Sequence, residues 1–209
     1  SFPTRRSSDL LMIPVLPALI GSLTDSDHMQ AYWFGGLAAT YGIMQFFCTP
    51  LLGALSDRYG RRPVLLISIF GLGISHIMTA LSNSLPILLL SRVLSGATGA
   101  TFSVANAYVA DITSPEERGK AFGKIGAAFG IGFIFGPVIG GSLGAINLHL
   151  PFFVAAALSL CNWLYGYFVL PESLNLEKRN PIQWQKANPF GALLHLGQLK
   201  GVGILVFVF

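Results

Sequence analysis

The chain has 209 residues, of which 53% are hydrophobic and only 11% are charged. Soluble domains carry about 25% charged residues, so the composition excludes an ordinary soluble enzyme and indicates an all-α polytopic membrane protein. The net charge of +4 is explained better by basic loops on the cytoplasmic side of a membrane than by nucleic-acid binding.

Apolar runs of about 20 residues, enough to cross a bilayer, predict six membrane spans. Span 1 is truncated and covers residues 10–23. Spans 2 to 6 are predicted at 31–55, 64–81, 86–110, 121–143 and 152–170. Residues 11–170 thus form a six-helix bundle, and residues 171–200 form a hydrophilic cytoplasmic link.

The two ends of the chain are predicted to be unlike the rest. Residues 1–10 lack an initiator Met and contain two arginines where span 1 ought to begin. They resemble translated adapter sequence more than a native basic tail, and we expect them to be non-native. Residues 201–209 start a further apolar run, which we interpret as the beginning of helix 7.

Lysine and arginine occur only in every second connection between the spans. The turns near residues 24–30, 82–86 and 144–150 contain neither residue type. The other connections contain Arg58, Arg61, Arg62, Arg118, Lys120, Lys124, Lys178, Arg179, Lys186 and Lys200. By the positive-inside rule, these connections and the N-terminus are expected to face the cytoplasm.

The charged turn after span 2, Gly53–Pro63, has a spacing that a topology signal alone does not explain. Gly60 permits a positive φ, and Asp57 and Arg61 can pair across the turn. Gly53 lets a neighbouring helix approach closely. A loop that only fixes topology accounts for the arginines but not for the spacing of glycine and aspartate.

Apart from Lys124 in the first turn of span 5, Arg92 is the only formally charged residue inside a predicted span. A charge at bilayer depth costs at least about 2.5 kcal/mol on insertion scales, so Arg92 is predicted to face the protein interior and to be functional. The alternative is that it snorkels to the outer interface.

On the basis of these motifs, the chain resembles the major facilitator superfamily, and within it the drug:proton antiporters of the tetracycline-efflux type. The turn matches the signature between spans 2 and 3 of that family. The further matches are Ile13–Pro17 in span 1, Leu90–Gly99 and Ala107–Asp111 in span 4, and Gly132–Gly141 in span 5.

The resemblance implies a twelve-helix fold in which each half is a 3+3 repeat, and this chain is its N-terminal half. The partners are then a small drug-like substrate, protons, the lipid bilayer and the C-terminal half, with no nucleic acid. The proton gradient drives transport, and no cofactor or metal is expected. By itself the chain is expected to be inactive.

The resemblance also assigns roles to residues. Arg92 takes part in proton coupling, and the span 5 motif seals the membrane against leak through Gly132, Gly136, Pro137, Gly140 and Gly141. A cytoplasmic charge latch is formed by Asp57, Arg58, Arg61 and Asp111, for which three separate exposed charges are the alternative. No Asp or Glu lies inside spans 2 to 6. Related antiporters often have an acid early in span 1, a place that residues 1–10 take here, so the proton-carrying acid is expected to be missing from this chain.

Several polar residues at membrane depth are candidates to line a substrate cavity. These are Gln45 in span 2 and Asn106 in span 4, with Tyr41 as an aromatic surface on which a drug can stack. For Gln45 and Asn106, hydrogen bonding between helices is an equally good interpretation, and for Tyr41 packing is the alternative. His76 is interpreted as a packed neutral side chain.

The function that the resemblance implies is proton-coupled efflux of a small drug-like molecule, such as tetracycline, across the inner membrane by alternating access. The alternative is a proton-coupled uptake carrier of the same superfamily, which the span 5 motif disfavours. A membrane-embedded enzyme needs paired carboxylates, a metal-ligand set or a Ser/His pair. Spans 2 to 6 have no carboxylate and one histidine, so an enzyme is not expected.

Overall fold

The computed structural model describes residues 15–24, 26–99, 101–174 and 179. Over these residues the ordered elements are all α-helices. They are α1 Leu16–Gly21, α2 Asp27–Tyr59, α3 Arg61–Ala80, α4 Leu85–Gly99, α5 Thr101–Ile112, α6 Arg118–Ile146 and α7 Leu150–Val169.

Five of the predicted spans are confirmed as helices that are long and apolar enough to cross a membrane. Helices α2 and α3 are spans 2 and 3, α4 and α5 together give the 28-residue span 4, and α6 and α7 are spans 5 and 6. Span 1 is represented by α1. The predictions for residues 1–10, for residues 201–209 and for most of the link at 171–200 lie outside the described residues.

Each of the five helices begins before the apolar run that predicted it, and spans 2, 4 and 5 also end after it. Span 2 was predicted at 31–55 but runs over Asp27–Tyr59, and it begins where the Ser26 hydroxyl accepts a hydrogen bond from the Met29 N–H at 3.3 Å. At about 1.5 Å per residue, its 33 residues exceed a hydrocarbon core of about 30 Å. Hydropathy marks where the helix leaves the membrane, and the helix continues into water because its own hydrogen bonds satisfy its backbone.

The predicted turn at Gly53–Pro63 is therefore much tighter than expected. Residues 53–59 belong to span 2, and span 3 begins at Arg61. Gly60 alone separates the two helices, with φ 107°, a value in the region that only glycine adopts without strain. The predicted positive φ is present, whereas the placement of Gly53 in the turn was wrong.

Span 3 lies at the centre of the bundle. It packs on spans 4 and 6, while span 2 packs on span 4 and α1 packs on span 2. In the most apolar stretch of each helix, 56% of the residues are buried in span 3, but only 17% in span 5 and 6% in span 2. Spans 2 and 5 thus keep large faces uncovered by the described part of the chain.

Two apolar clusters and one polar group form the interior. One cluster, which includes Leu37, Leu88 and Phe152, lies toward the ends of spans 3 and 4 that meet near residue 83. The second, which includes Leu65, Val104 and Tyr108, lies toward the charged end. The third group is a polar seam of buried side chains from spans 3, 4 and 6, formed by Ser75, His76, Thr79, Ser91, Arg92 and Ser159.

The backbones of spans 2 and 4 touch at Gly96. A Cβ atom on Gly96 would lie 2.6 Å from the carbonyl oxygen of Tyr41 and 2.8 Å from the Cβ of Met44. Since backbone atoms and Cβ atoms cannot move aside without shifting the helix, a side chain here separates the two spans. Close helix contact in a membrane depends on such small residues.

We predict that Gly96→Ala destabilises the full-length protein by about 1–3 kcal/mol, the usual cost of overpacking a well-packed contact. Gly42→Ala in span 2 is the matched control, because no atom of the described residues lies within 4 Å of its added Cβ. Thermal unfolding in detergent measures both variants. An unfolding midpoint of Gly96→Ala at or above that of Gly42→Ala would contradict the predicted contact.

Candidate functional site

Arg61 gathers three side chains at the end of the bundle where spans 2 and 3 meet. Its Nη1 lies 2.5 Å from Asp57 Oδ1 and donates to Ser56 Oγ at 2.6 Å, and its Nε lies 3.3 Å from Asp111 Oδ2. Asp57, Arg61 and Asp111 belong to spans 2, 3 and 4. We call these residues, with Ser56, the Arg61 network and the end where they lie the charged end.

The Arg61 network is held at the boundary between protein and water. The Arg61 side chain is 13% exposed, while the Asp57 and Asp111 side chains are 47% and 29% exposed. Ser56 is fully buried and donates its own hydroxyl proton to the Gly53 carbonyl. The predicted Asp57–Arg61–Asp111 contacts are therefore present as geometry. The alternative of three separate charges does not describe this arrangement.

Arg58 lies outside the Arg61 network, and its assignment to the charge group was wrong. Adjacent helix residues point in directions about 100° apart, so Arg58 cannot share a face with Asp57. Its guanidinium lies over the Tyr59 ring, 5.4 Å from the centroid. The predicted close approach of a helix at Gly53 is also wrong for the described chain, where no atom lies within 4 Å of an added Cβ.

Glu172, just after span 6, caps the first turn of span 3 and was not predicted. Its carboxylate accepts hydrogen bonds from the backbone N–H of Arg61 at 2.8 Å and of Arg62 at 3.3 Å. These amides have no acceptor within their helix, and the positive end of the helix dipole favours an anion there. A Cβ on Gly60 would collide with the Glu172 carboxylate, so glycine is needed for space as well as for φ.

Further hydrogen bonds join the segment Pro171–Leu174 to span 4. The Ser173 hydroxyl donates to Asp111 Oδ2 at 3.4 Å, and the Tyr108 hydroxyl donates to the Pro171 carbonyl at 3.0 Å. The end of span 6 is therefore tied to the same carboxylate that Arg61 contacts.

Arg62 adds a contact to span 6 itself. Its Nη2 donates to the Tyr167 carbonyl at 2.6 Å, and its guanidinium lies 5.8 Å from the centroid of the Tyr167 ring. The predicted turn thus uses Arg61 and Arg62 for different partners, one toward spans 2 and 4 and the other toward span 6.

Arg92 lies inside the bundle, as predicted. It is 7% exposed, and its Nη2 donates to Thr79 Oγ1 of span 3 at 3.1 Å. The guanidinium is therefore held within the polar seam, against span 3. Neighbouring His76 is fully buried, with its Nδ1 3.2 Å from Ser159 Oγ of span 6.

The span 5 motif has one buried face. Gly132, Gly136 and Gly140, spaced by four residues, are buried, and the helix continues past Pro137 to Ile146. Gly141 lies off this face, since no atom of the described chain lies within 4 Å of its added Cβ. The motif is thus built for close packing along one side of the helix.

The cavity candidates belong to spans 2 and 4. The Tyr41 hydroxyl approaches Gly99, where a Cβ would be 3.1 Å away, so packing on span 4 describes Tyr41 in this structure. Gln45 and Asn106 are half-buried, and within the described chain neither side chain makes a hydrogen bond that joins two helices. Their role in lining a cavity stays a prediction.

Comparison with known proteins agrees with the geometry. A model of the Major Facilitator Superfamily matches residues 7–209. The chain is 46% identical over 199 residues to the class C tetracycline resistance protein of Escherichia coli, covering 95% of the chain and 50% of the relative. It is 43% identical over 200 residues to the class D tetracycline resistance protein of Salmonella ordonez, with the same coverage.

A solved structure is also similar. The crystal structure of the human organic anion transporter MFSD10 superimposes with a TM-score of 0.79 at 29% identity, over 94% of this chain and 53% of that one. The chain therefore spans about half the length of the relatives it matches.

The Glu172 cap leads to a local prediction. Glu172→Ala removes the acceptor of the Arg61 and Arg62 amides, so their hydrogen exchange in the full-length protein is expected to rise by about tenfold, the factor for roughly 1.4 kcal/mol of lost protection. Exchange of peptides that cover residues 60–64 measures this. Asn83→Ala, in the turn between spans 3 and 4, is the control. Equal exchange in Glu172→Ala and the wild type would show that Glu172 does not cap span 3.

Proposed function

The chain belongs to the major facilitator superfamily, a family of transporters and not of enzymes, and from this premise we propose that the full-length protein exports a small drug-like molecule in exchange for protons. The Arg61 network carries the proposal. It joins the ends of spans 2, 3 and 4 through one cation. Contacts at the ends of the helices must hold the bundle in one state and break in the other.

The proposed substrate is tetracycline or a molecule of similar size and chemistry. Support comes from relatives at 46% and 43% identity that are tetracycline resistance proteins. Tyr41, Gln45 and Asn106 are the proposed contacts of the described half, and the cavity is completed by a second bundle. Uptake of substrate, the alternative direction, is opposed by the span 5 motif with its buried Gly136.

The proposed orientation places the charged end in the cytoplasm of a cell with an inner membrane. Arg58, Arg61 and Arg62 lie at that end, and no Lys or Arg occurs in the turns near 82–86 and 144–150. The positive-inside rule then puts the N-terminus inside.

The energy source is proposed to be the proton gradient, with Arg92 as the fixed charge that responds to protonation of an acid. An arginine stays charged at all relevant pH values, so its field favours the ionised form of a nearby carboxyl group. That carboxyl group is proposed to lie early in span 1 of the full-length protein.

Transport direction and energy source are tested in one experiment. Cells that express the full-length protein are expected to retain less tetracycline than cells without it, and a proton uncoupler is expected to abolish the difference. Greater retention would identify an uptake carrier. A difference that survives the uncoupler would contradict proton coupling.

The Arg61 network generates a second test. Asp57→Asn removes the charge that Arg61 contacts at 2.5 Å, and we expect efflux to be abolished while the protein still inserts into the membrane. Arg58→Gln is the matched control, because Arg58 is adjacent in sequence but lies outside the network, and it is expected to keep efflux. Normal efflux by Asp57→Asn would contradict a gating role for the network.

A further inference from the structure

The polar seam contains a residue that lies outside the motifs of the sequence analysis. Thr79 of span 3 is fully buried, and its Oγ1 accepts a hydrogen bond from Arg92 Nη2 of span 4 at 3.1 Å. A guanidinium carries only donors, so the Thr79 oxygen is the acceptor in this contact. Its position on span 3 therefore decides where this edge of the guanidinium lies.

Thr79 is itself held by hydrogen bonds that leave one of its lone pairs for Arg92. Its oxygen lies 2.9 Å from the Ser75 carbonyl oxygen and 2.9 Å from Ser91 Oγ. Ser91 directs its own proton to the Leu88 carbonyl at 2.7 Å, so Ser91 acts as an acceptor toward Thr79. The single Thr79 proton is thus directed at Ser75 or Ser91, and a lone pair remains for Arg92.

We propose that Thr79 is a positioning residue for Arg92, which holds the guanidinium against span 3 at the depth where its charge acts on the proton site. The inference rests on the proposed function, in which Arg92 couples protons to transport. Because the interaction between two charges depends on their separation, a displaced guanidinium changes the coupling. The binding and passage of substrate need not change.

Two assays on the full-length protein in proteoliposomes separate these effects. One is tetracycline accumulation driven by an imposed pH gradient, and the other is tetracycline exchange at equilibrium without a gradient. Thr79→Val keeps the shape of the side chain and removes the hydroxyl. We expect gradient-driven accumulation to fall about tenfold, as for the loss of one hydrogen bond to a charged group, while exchange stays at the wild-type rate.

Two further variants make the test specific. Thr79→Ser restores the hydroxyl and is expected to restore gradient-driven accumulation. Thr101→Val is the matched control in span 4: Thr101 is 1% exposed, and its hydroxyl donates to the Thr98 carbonyl of the same span at 2.7 Å. It is expected to keep both activities.

Three outcomes would overturn the proposal. Wild-type accumulation by Thr79→Val would show that the hydroxyl does not position Arg92. An equal fall of accumulation and exchange in Thr79→Val would show a structural role only. Full gradient-driven accumulation by Arg92→Gln would remove Arg92 from proton coupling, and with it the basis of this inference, while efflux itself remained.

Discussion

The contacts of the Arg61 guanidinium determine how the charged end of the bundle is arranged. The Arg61 side chain contacts one carboxylate from each of the two neighbouring helices. Its backbone N–H donates to a third carboxylate, that of Glu172, beyond the end of span 6. Exposed ion pairs contribute about 0–1 kcal/mol each. Several such contacts together hold an arrangement without making it permanent, which is what a transporter that alternates between states requires.

The polar groups of the bundle are divided by depth. At the charged end, Asp57 and Asp111 are partly exposed, so water can replace each protein contact when it breaks. In the seam, Arg92 and Thr79 are buried, so a lost hydrogen bond is not replaced and costs more. The first group is suited to opening and closing, and the second is suited to holding a charge at a fixed place.

The spans and the main contact of the site could be predicted from the sequence alone. Apolar runs determine the spans, and short-range spacing determines the contact. Hydropathy located five spans but misjudged where helices end, since a helix such as span 2 continues into water. Arg58 was misassigned because the motif treats neighbouring residues as one group, whereas a helix points them apart. Glu172 and Thr79 could not be found, since their roles depend on which spans are neighbours, and nothing in the local sequence encodes that.

The central claim is that Asp57 and Asp111 act through the same arginine, and a double-mutant cycle tests it most directly. The unfolding free energies of Asp57→Asn, Asp111→Asn and the double variant of the full-length protein are compared with that of the wild type. Shared contact with Arg61 predicts that the two losses are not additive, with a coupling free energy of about 0.5–1 kcal/mol. Strictly additive losses would contradict a common network.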